Sequence, residues 1–253
     1  MGAVRALALL ITWAPALAAA ADGPAAPAAP AEPTGRAISQ DEEAALGVRL
    51  VKARELIAAH QAAKAISDYL DPVIGRYVEV YAASPKVVFC AREAGEAFFY
   101  LALVAAAAKD GAPARDTIVI GPNWADAYLL KGFAEVELKD LEAAQATLRK
   151  ATALSPWNAQ YLSELAYVTQ QLGASAEALE LYGSAQELAG YVDDPQRKRR
   201  ESARACRGQG YALVELKRLD EAEARYQACI AIDPADKISP GEIDYIRQLR
   251  GRK

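Results

Sequence analysis

Residues 138–156 read LKDLEAAQATLRKATALSP. The sentence returns as LGASAEALELYGSAQELAG at 172–190 and as LKRLDEAEARYQACIAIDP at 216–234. Aligned on Ala144, Ala178 and Ala222, the first two copies lie 34 residues apart and the next two 44. Further columns then fall into line. Gly132, Ala166 and Gly210 form a column of small residues, Leu148, Tyr182 and Tyr226 a column of large ones. Ala151, Ala185 and Cys229 form a second small column, and Pro156, Gly190 and Pro234 close each unit. Two antiparallel helices approach closely only where side chains are small. Large apolar residues fill the gaps on either side, and a proline or glycine stops the second helix. In the first helix, apolar residues recur at three- and four-residue steps, as in Tyr128, Leu129, Phe133 and Val136. The columns predict a helix–turn–helix hairpin, repeated.

The pattern resembles the tetratricopeptide repeat, a 34-residue helix–turn–helix unit with the signature W-x2-L-G-x2-Y, then A, F and P. Residues 125–158 match at Tyr128, Gly132, Leu141, Ala144, Leu148, Ala151 and Pro156. Residues 159–192 match at Leu162, Leu165, Ala166, Gly173, Ala178, Tyr182 and Ala185. Residues 203–236 match at Gly210, Leu219, Ala222, Tyr226 and Pro234. Lys131 and Gln209 stand where leucine is usual, and the tryptophan of the first helix is replaced in every unit. The resemblance implies an all-α fold, a right-handed α-solenoid of stacked hairpins. Residues 38–122 are expected to form degenerate hairpins of the same kind. One spans 53–77, with Ala65 and Tyr69 in the expected columns, and a second spans 91–122. Residues 237–253 should supply a capping helix and tail. Ser239 would be its N-cap, Pro240 its first helical residue and Glu242 the end of a capping box. Ser39 and Glu42 offer a similar box where the folded part begins. The ten extra residues, DDPQRKRRES at 193–202, lengthen the connection between the second and third units. Their run of Arg197, Lys198, Arg199 and Arg200 either contacts a polyanion or acidic lipid, or is a solvated helix start or loop; the second is favoured.

The chain has 253 residues, of which 53% are hydrophobic and 25% charged, with a net charge of −4. Mild acidity argues against sequence-independent nucleic-acid binding, which needs a basic footprint. Abundant alanine favours packed helices over sheets. The first residues place Arg5 before an uncharged run from Ala6 to Ala21, with an A-x-A site at Ala19–Ala21. That is the layout of a cleaved secretory signal peptide over 1–21. The run is shorter than the ~20 residues a spanning helix needs and contains Pro15, which disfavours an uncleaved anchor. A Pro/Ala-rich linker follows over 22–37. The apolar stretch 97–108 is too short to span a bilayer and reads as a buried helix. The expected location is therefore outside the cytoplasm, in a bacterial periplasm, with no stable membrane span after cleavage.

Chemistry is sparse. No G-x-S-x-G, HExxH, P-loop or G-x-G-x-x-G occurs, and the single histidine, His60, falls in a predicted turn. The reading is a non-enzymatic protein, with no catalytic residues, metal or cofactor. Cys90, Cys206 and Cys229 are the three cysteines. Cys206 and Cys229 sit on the two helices of the third unit, less than one turn out of register if Gly210 faces Ala222. A disulfide between them is possible, but packing as small buried hydrophobes is the commoner outcome for cysteine and is the favoured reading.

In the resembling family, positions 2, 5, 9 and 12 of each unit face a ligand along the concave surface. Carried over, position 9 gives Phe133, Tyr167 and Tyr211, all aromatic. Position 5 gives Leu129, Ser163 and Arg207; position 2 gives Asp126, Gln160 and Arg204; position 12 gives Val136, Gln170 and Val214. The resemblance therefore implies an adaptor of the bacterial cell envelope that binds a peptide or helix in its groove. Phe133, Tyr167 and Tyr211 would form an aromatic ladder, unless they pack as core. The basic pattern for acidic C-termini is missing, because its positions carry Leu129, Phe133 and Glu164, although Arg204 and Arg207 remain to meet one acid. The alternative is a structural or regulatory subunit of an envelope assembly that makes contact through its convex face or basic insert.

Overall fold

The computed structural model describes residues 37–109 and 116–251; the expected leader and most of the linker lie outside the described residues. An N-terminal hairpin comes first. α1 (Gln40–Ala58) is followed by α2 (Ala62–Ala65), a π-helical turn (Ile66–Leu70) and α3 (Asp71–Tyr81). Ser39 caps α1 as expected, accepting the Glu42 N–H, while the Glu42 carboxylate takes the Arg76 guanidinium at 2.6 Å.

Three hairpins follow. They are α5 (Asn123–Glu137) with α6 (Leu141–Leu154), α7 (Ala159–Gln171) with α8 (Ser175–Ala189), and α9 (Pro195–Glu215) with α10 (Leu219–Ile232). α11 (Ser239–Gly251) ends the stack, burying Ile243 and Ile246 against Tyr226, Leu213, Cys206 and Cys229. Asp236 takes the capping role anticipated for Ser239, accepting the Ile238 N–H at 2.9 Å and the Ser239 hydroxyl at 2.6 Å.

The turn inside every hairpin is built alike. His60, Lys139, Gly173 and Lys217 all have positive φ, between 57° and 85°. Each N–H bonds the carbonyl three residues back, and the next N–H bonds the carbonyl five back, as in Gly173 to Gln170 and Ala174 to Thr169. This is the Schellman closure. His60 closes the first helix of the N-terminal hairpin in the same geometry, although the sequence columns have faded there.

The helix contacts follow the small and large columns. A Cβ placed on Gly132 would stand 2.7 Å from Leu148, and one on Gly210 would stand 2.6 Å from the Tyr226 ring. The neighbour of Gly210 is thus Tyr226, one turn beyond the expected Ala222. The ring of Tyr182 lies over Gly208 of the next unit, 2.2 Å from where a Cβ would be. In that register Cys206 and Cys229 are disulfide-bonded, with Cα atoms 5.6 Å apart.

Residues 91–122 do not form the expected hairpin. β1 (Val87–Cys90), α4 (Ala94–Lys109) and β2 (Thr117–Ile120) make a strand–helix–strand unit, with β1 and β2 parallel in register from Val87↔Thr117 to Cys90↔Ile120. VVFC and TIVI are rich in β-branched and aromatic residues, which prefer strands, and a parallel pair needs a crossover such as α4. The unit packs where each second helix ends and the next first helix begins. The Ser155 hydroxyl donates to the Cys90 carbonyl at 2.6 Å. Phe99 stacks on Trp157 at 4.5 Å, and Tyr191 meets both rings edge-on.

The ten-residue insert lengthens a helix rather than a loop. α9 starts at Pro195, behind Asp194 as N-cap, and reaches 21 residues. Its first turns dock on the strand–helix–strand unit. Arg197 pairs with Glu93. Arg92 lies between Glu96 at 2.6 Å and Glu201 at 2.8 Å, with both carboxylates buried. Arg199 and Arg200 remain exposed. The stretch 97–108 is helical, as expected, but is not buried throughout: Phe98 is 69% and Leu101 50% exposed.

Two glycine substitutions should move stability in opposite directions. Gly210→Ala forces a methyl into the buried Tyr226 ring and should cost about 1–3 kcal/mol. Gly75→Ala, in α3 with nothing within 4 Å of the new methyl, should gain about 0.5–1 kcal/mol. Urea unfolding of both variants checks the pair of signs.

Candidate partner-binding face

The first helices α5, α7 and α9 carry the residues singled out from sequence, and they meet different fates. Leu129 is buried, and Phe133 is half-buried against the core that joins the N-terminal hairpin to the first two repeats. Tyr167 and Tyr211 stay exposed, at 39% and 41%. Tyr211 leans edge-on against Tyr226, with ring centroids 5.9 Å apart, and donates its hydroxyl to Glu242 of α11 at 2.9 Å. Gln160 and Gln170 are half-buried, while Ser163 is fully enclosed. The aromatic column thus divides: its first member belongs with the core, and its other two offer ring surface to solvent.

Both arginines have acids within the chain. Arg204 reaches back one unit to Glu164, and Arg207 lies 3.5 Å from Asp236, whose side chain is almost wholly enclosed. Asp126 at the matching position of the first unit accepts the Tyr161 hydroxyl at 2.7 Å. Asp126, Glu164 and Arg204 thus join one repeat to the next, while Tyr167 and Tyr211 keep exposed ring surface on the same helices. Sequence reading missed Glu164 as such a joint. Its only signal is an acid in the middle of an otherwise apolar helix stretch, YLSELAYV.

Burial pushes the Glu164 carboxyl above its usual range, and Arg204 opposes that shift. Burial likewise raises Asp126 and Glu135. Among the described residues, no group of three or more His, Cys, Asp or Glu side chains is placed to hold a metal, and no helix is long and apolar enough to cross a membrane.

The Glu164–Arg204 joint has a testable pH signature. A carboxyl raised in the folded state adds stability below its unfolded value, and that stability is lost as pH rises through the folded value. Removing Arg204 raises Glu164 further. Arg204→Met should therefore cost about 1–2 kcal/mol near neutral pH, since Arg204 is itself partly exposed. The deficit should shrink as pH falls toward the usual range for glutamate. Paired thermal melts at neutral and mildly acidic pH read the difference.

Residues 125–156 and 203–236 match the family model described as Tetratricopeptide repeat. No curated protein matches the chain. Among solved structures, the chain is similar to BtubC (BKLC) from P. vanneervenii, with 14% identity and a TM-score of 0.46 over 82% of this chain and 85% of that one. It is also similar to the MamA protein, with 18% identity and a TM-score of 0.37 over 74% of this chain and 93% of that one. Period, columns and turn geometry agree with the family match over those two stretches, and the fold is an α-helical solenoid of stacked hairpins into which the strand–helix–strand unit is packed.

Proposed function

We propose that the protein is an exported, non-enzymatic adaptor that holds another protein against the first helices of its repeats. The observation that carries this reading is the exposure of Tyr167 and Tyr211 at the same repeat position in adjacent units. Tyrosine supplies a large apolar area, a polar tip and little conformational entropy to lose, which is why it recurs at binding hot spots. An extended peptide or a helix of the partner would lie across both rings.

Export is supported by two independent features. The N-terminal residues have the order of a secretory leader. The Cys206–Cys229 disulfide belongs to an oxidising compartment, because cytosolic thiols are kept reduced. It closes a loop with a sequence separation of 23, and such a link stabilises a fold by about 3 kcal/mol.

The test is capture from a cell-envelope extract. The native protein, a Tyr167→Ser/Tyr211→Ser double variant and a Tyr211→Phe variant are compared, each with its thermal melt. The double variant should lose at least about 90% of the captured partner while keeping its melt, and Tyr211→Phe should retain it. Undiminished capture by the double variant would contradict the reading. The same native preparation, unfolded without reductant, should titrate as one thiol, Cys90. Three thiols would contradict export.

A further inference from the structure

α4 has an outer face that nothing among the described residues covers. Between Glu96 and Lys109 it carries no charged side chain. Glu96 and Tyr100 are buried on its inner side, with Phe99 and Val104 packed beside them against Trp157 and Leu188. Among its described side chains the exposed ones are Ala94, Phe98, Leu101, Ala102, Ala105 and Lys109. At the angular step of an α-helix these six fall within one stripe about 100° wide. An exposed apolar stripe of this kind, on a helix that is apolar nearly all round, marks a contact surface.

We propose that the stripe is covered by α4 of a second copy of the chain, the two helices running antiparallel about a two-fold axis between Leu101 and Ala102. A two-fold contact brings residues equidistant from the axis together. Phe98 then meets Ala105, Leu101 meets Ala102, and Ala94 meets Lys109. Each large side chain is received by a small one. A parallel pairing would instead oppose Phe98 to Phe98 and leave the alanines facing one another across a gap.

Charge follows the same register. Asp193 lies at the first turn of α4, its Oδ2 3.3 Å from where a Cβ on Gly95 would stand. It is exposed, and no ion pair involves it among the described residues. The antiparallel register delivers the partner's Lys109 to that turn. The Lys109–Asp193 contact is made twice, once at each end of the pair.

The 16 residues of α4 span about 24 Å. One helix face falls short of the roughly 800 Å² per partner of a standard stable interface, so the dimer is weak and concentration-dependent, with a micromolar dissociation constant.

Sedimentation equilibrium of the mature chain, over about 1 to 200 µM, should show conversion from monomer to dimer. Phe98→Asp should raise the dissociation constant at least about tenfold, with the thermal melt unchanged because Phe98 is already 69% exposed. Lys109→Asp and Asp193→Lys should each weaken the dimer, and the two together should restore it. Leu101→Cys, beside the axis, should give a covalent dimer on oxidation. A chain monomeric throughout the range overturns the proposal, as does a dimer indifferent to Phe98→Asp. Failure of the double swap to restore association overturns the antiparallel register. A monomer that instead sediments with phosphatidylglycerol vesicles through Phe98 assigns the face to a lipid surface and overturns it too.

Discussion

Gly132 against Leu148 and Gly210 against Tyr226 are contacts in which one helix gives up its side chain so that another can fill the space. The rest of the solenoid depends on that exchange. It sets how closely the two helices of a hairpin approach, and the same exchange between units, Tyr182 over Gly208, sets how one hairpin sits on the next. Interiors packed this closely do not deform gradually. The spacing of the first helices is fixed, and with it the relative placement of Tyr167 and Tyr211.

The strand–helix–strand unit adds a constraint that a simple solenoid lacks. In repeat arrays each unit touches only its neighbours. Here one segment reaches Ser155 after the first repeat, Trp157 and Tyr191 at the borders of the second, and Glu201 at the start of the third. The Arg92 guanidinium, held between two buried carboxylates, contributes position more than net energy. Desolvation offsets much of such a pair's attraction, and the pair is satisfied only in one geometry. The insert that breaks the 34-residue period exists in the fold to meet this segment.

The repeats were legible because their information is periodic and local: small and large columns, stop residues, and an alternation of apolar positions. The left-handed turn residue was visible only at Gly173, since lysine occupies it twice and histidine once. The parallel strands were hidden by their length of four residues each and by an intervening helix as apolar as a core helix. The basic run at 197–200 read as solvated because the acid that meets Arg197 lies 104 positions away. For the proposed binding residues, the columns placed the side chains on the first helices α5, α7 and α9 but carried no sign of which of them stay exposed. Leu129 and Tyr167 look equally available in sequence; the N-terminal hairpin packed on α5 is what separates them.

The most direct measurement is photo-crosslinking in intact cells, with a benzophenone side chain placed at Tyr167 of the full chain or at Glu180, exposed on the second helix of the same unit. An adaptor that uses its first helices should yield a discrete protein adduct from position 167 and none from position 180. Equal adducts from both positions, or an adduct from 180 alone, would contradict the account and place partner contact on the second helices.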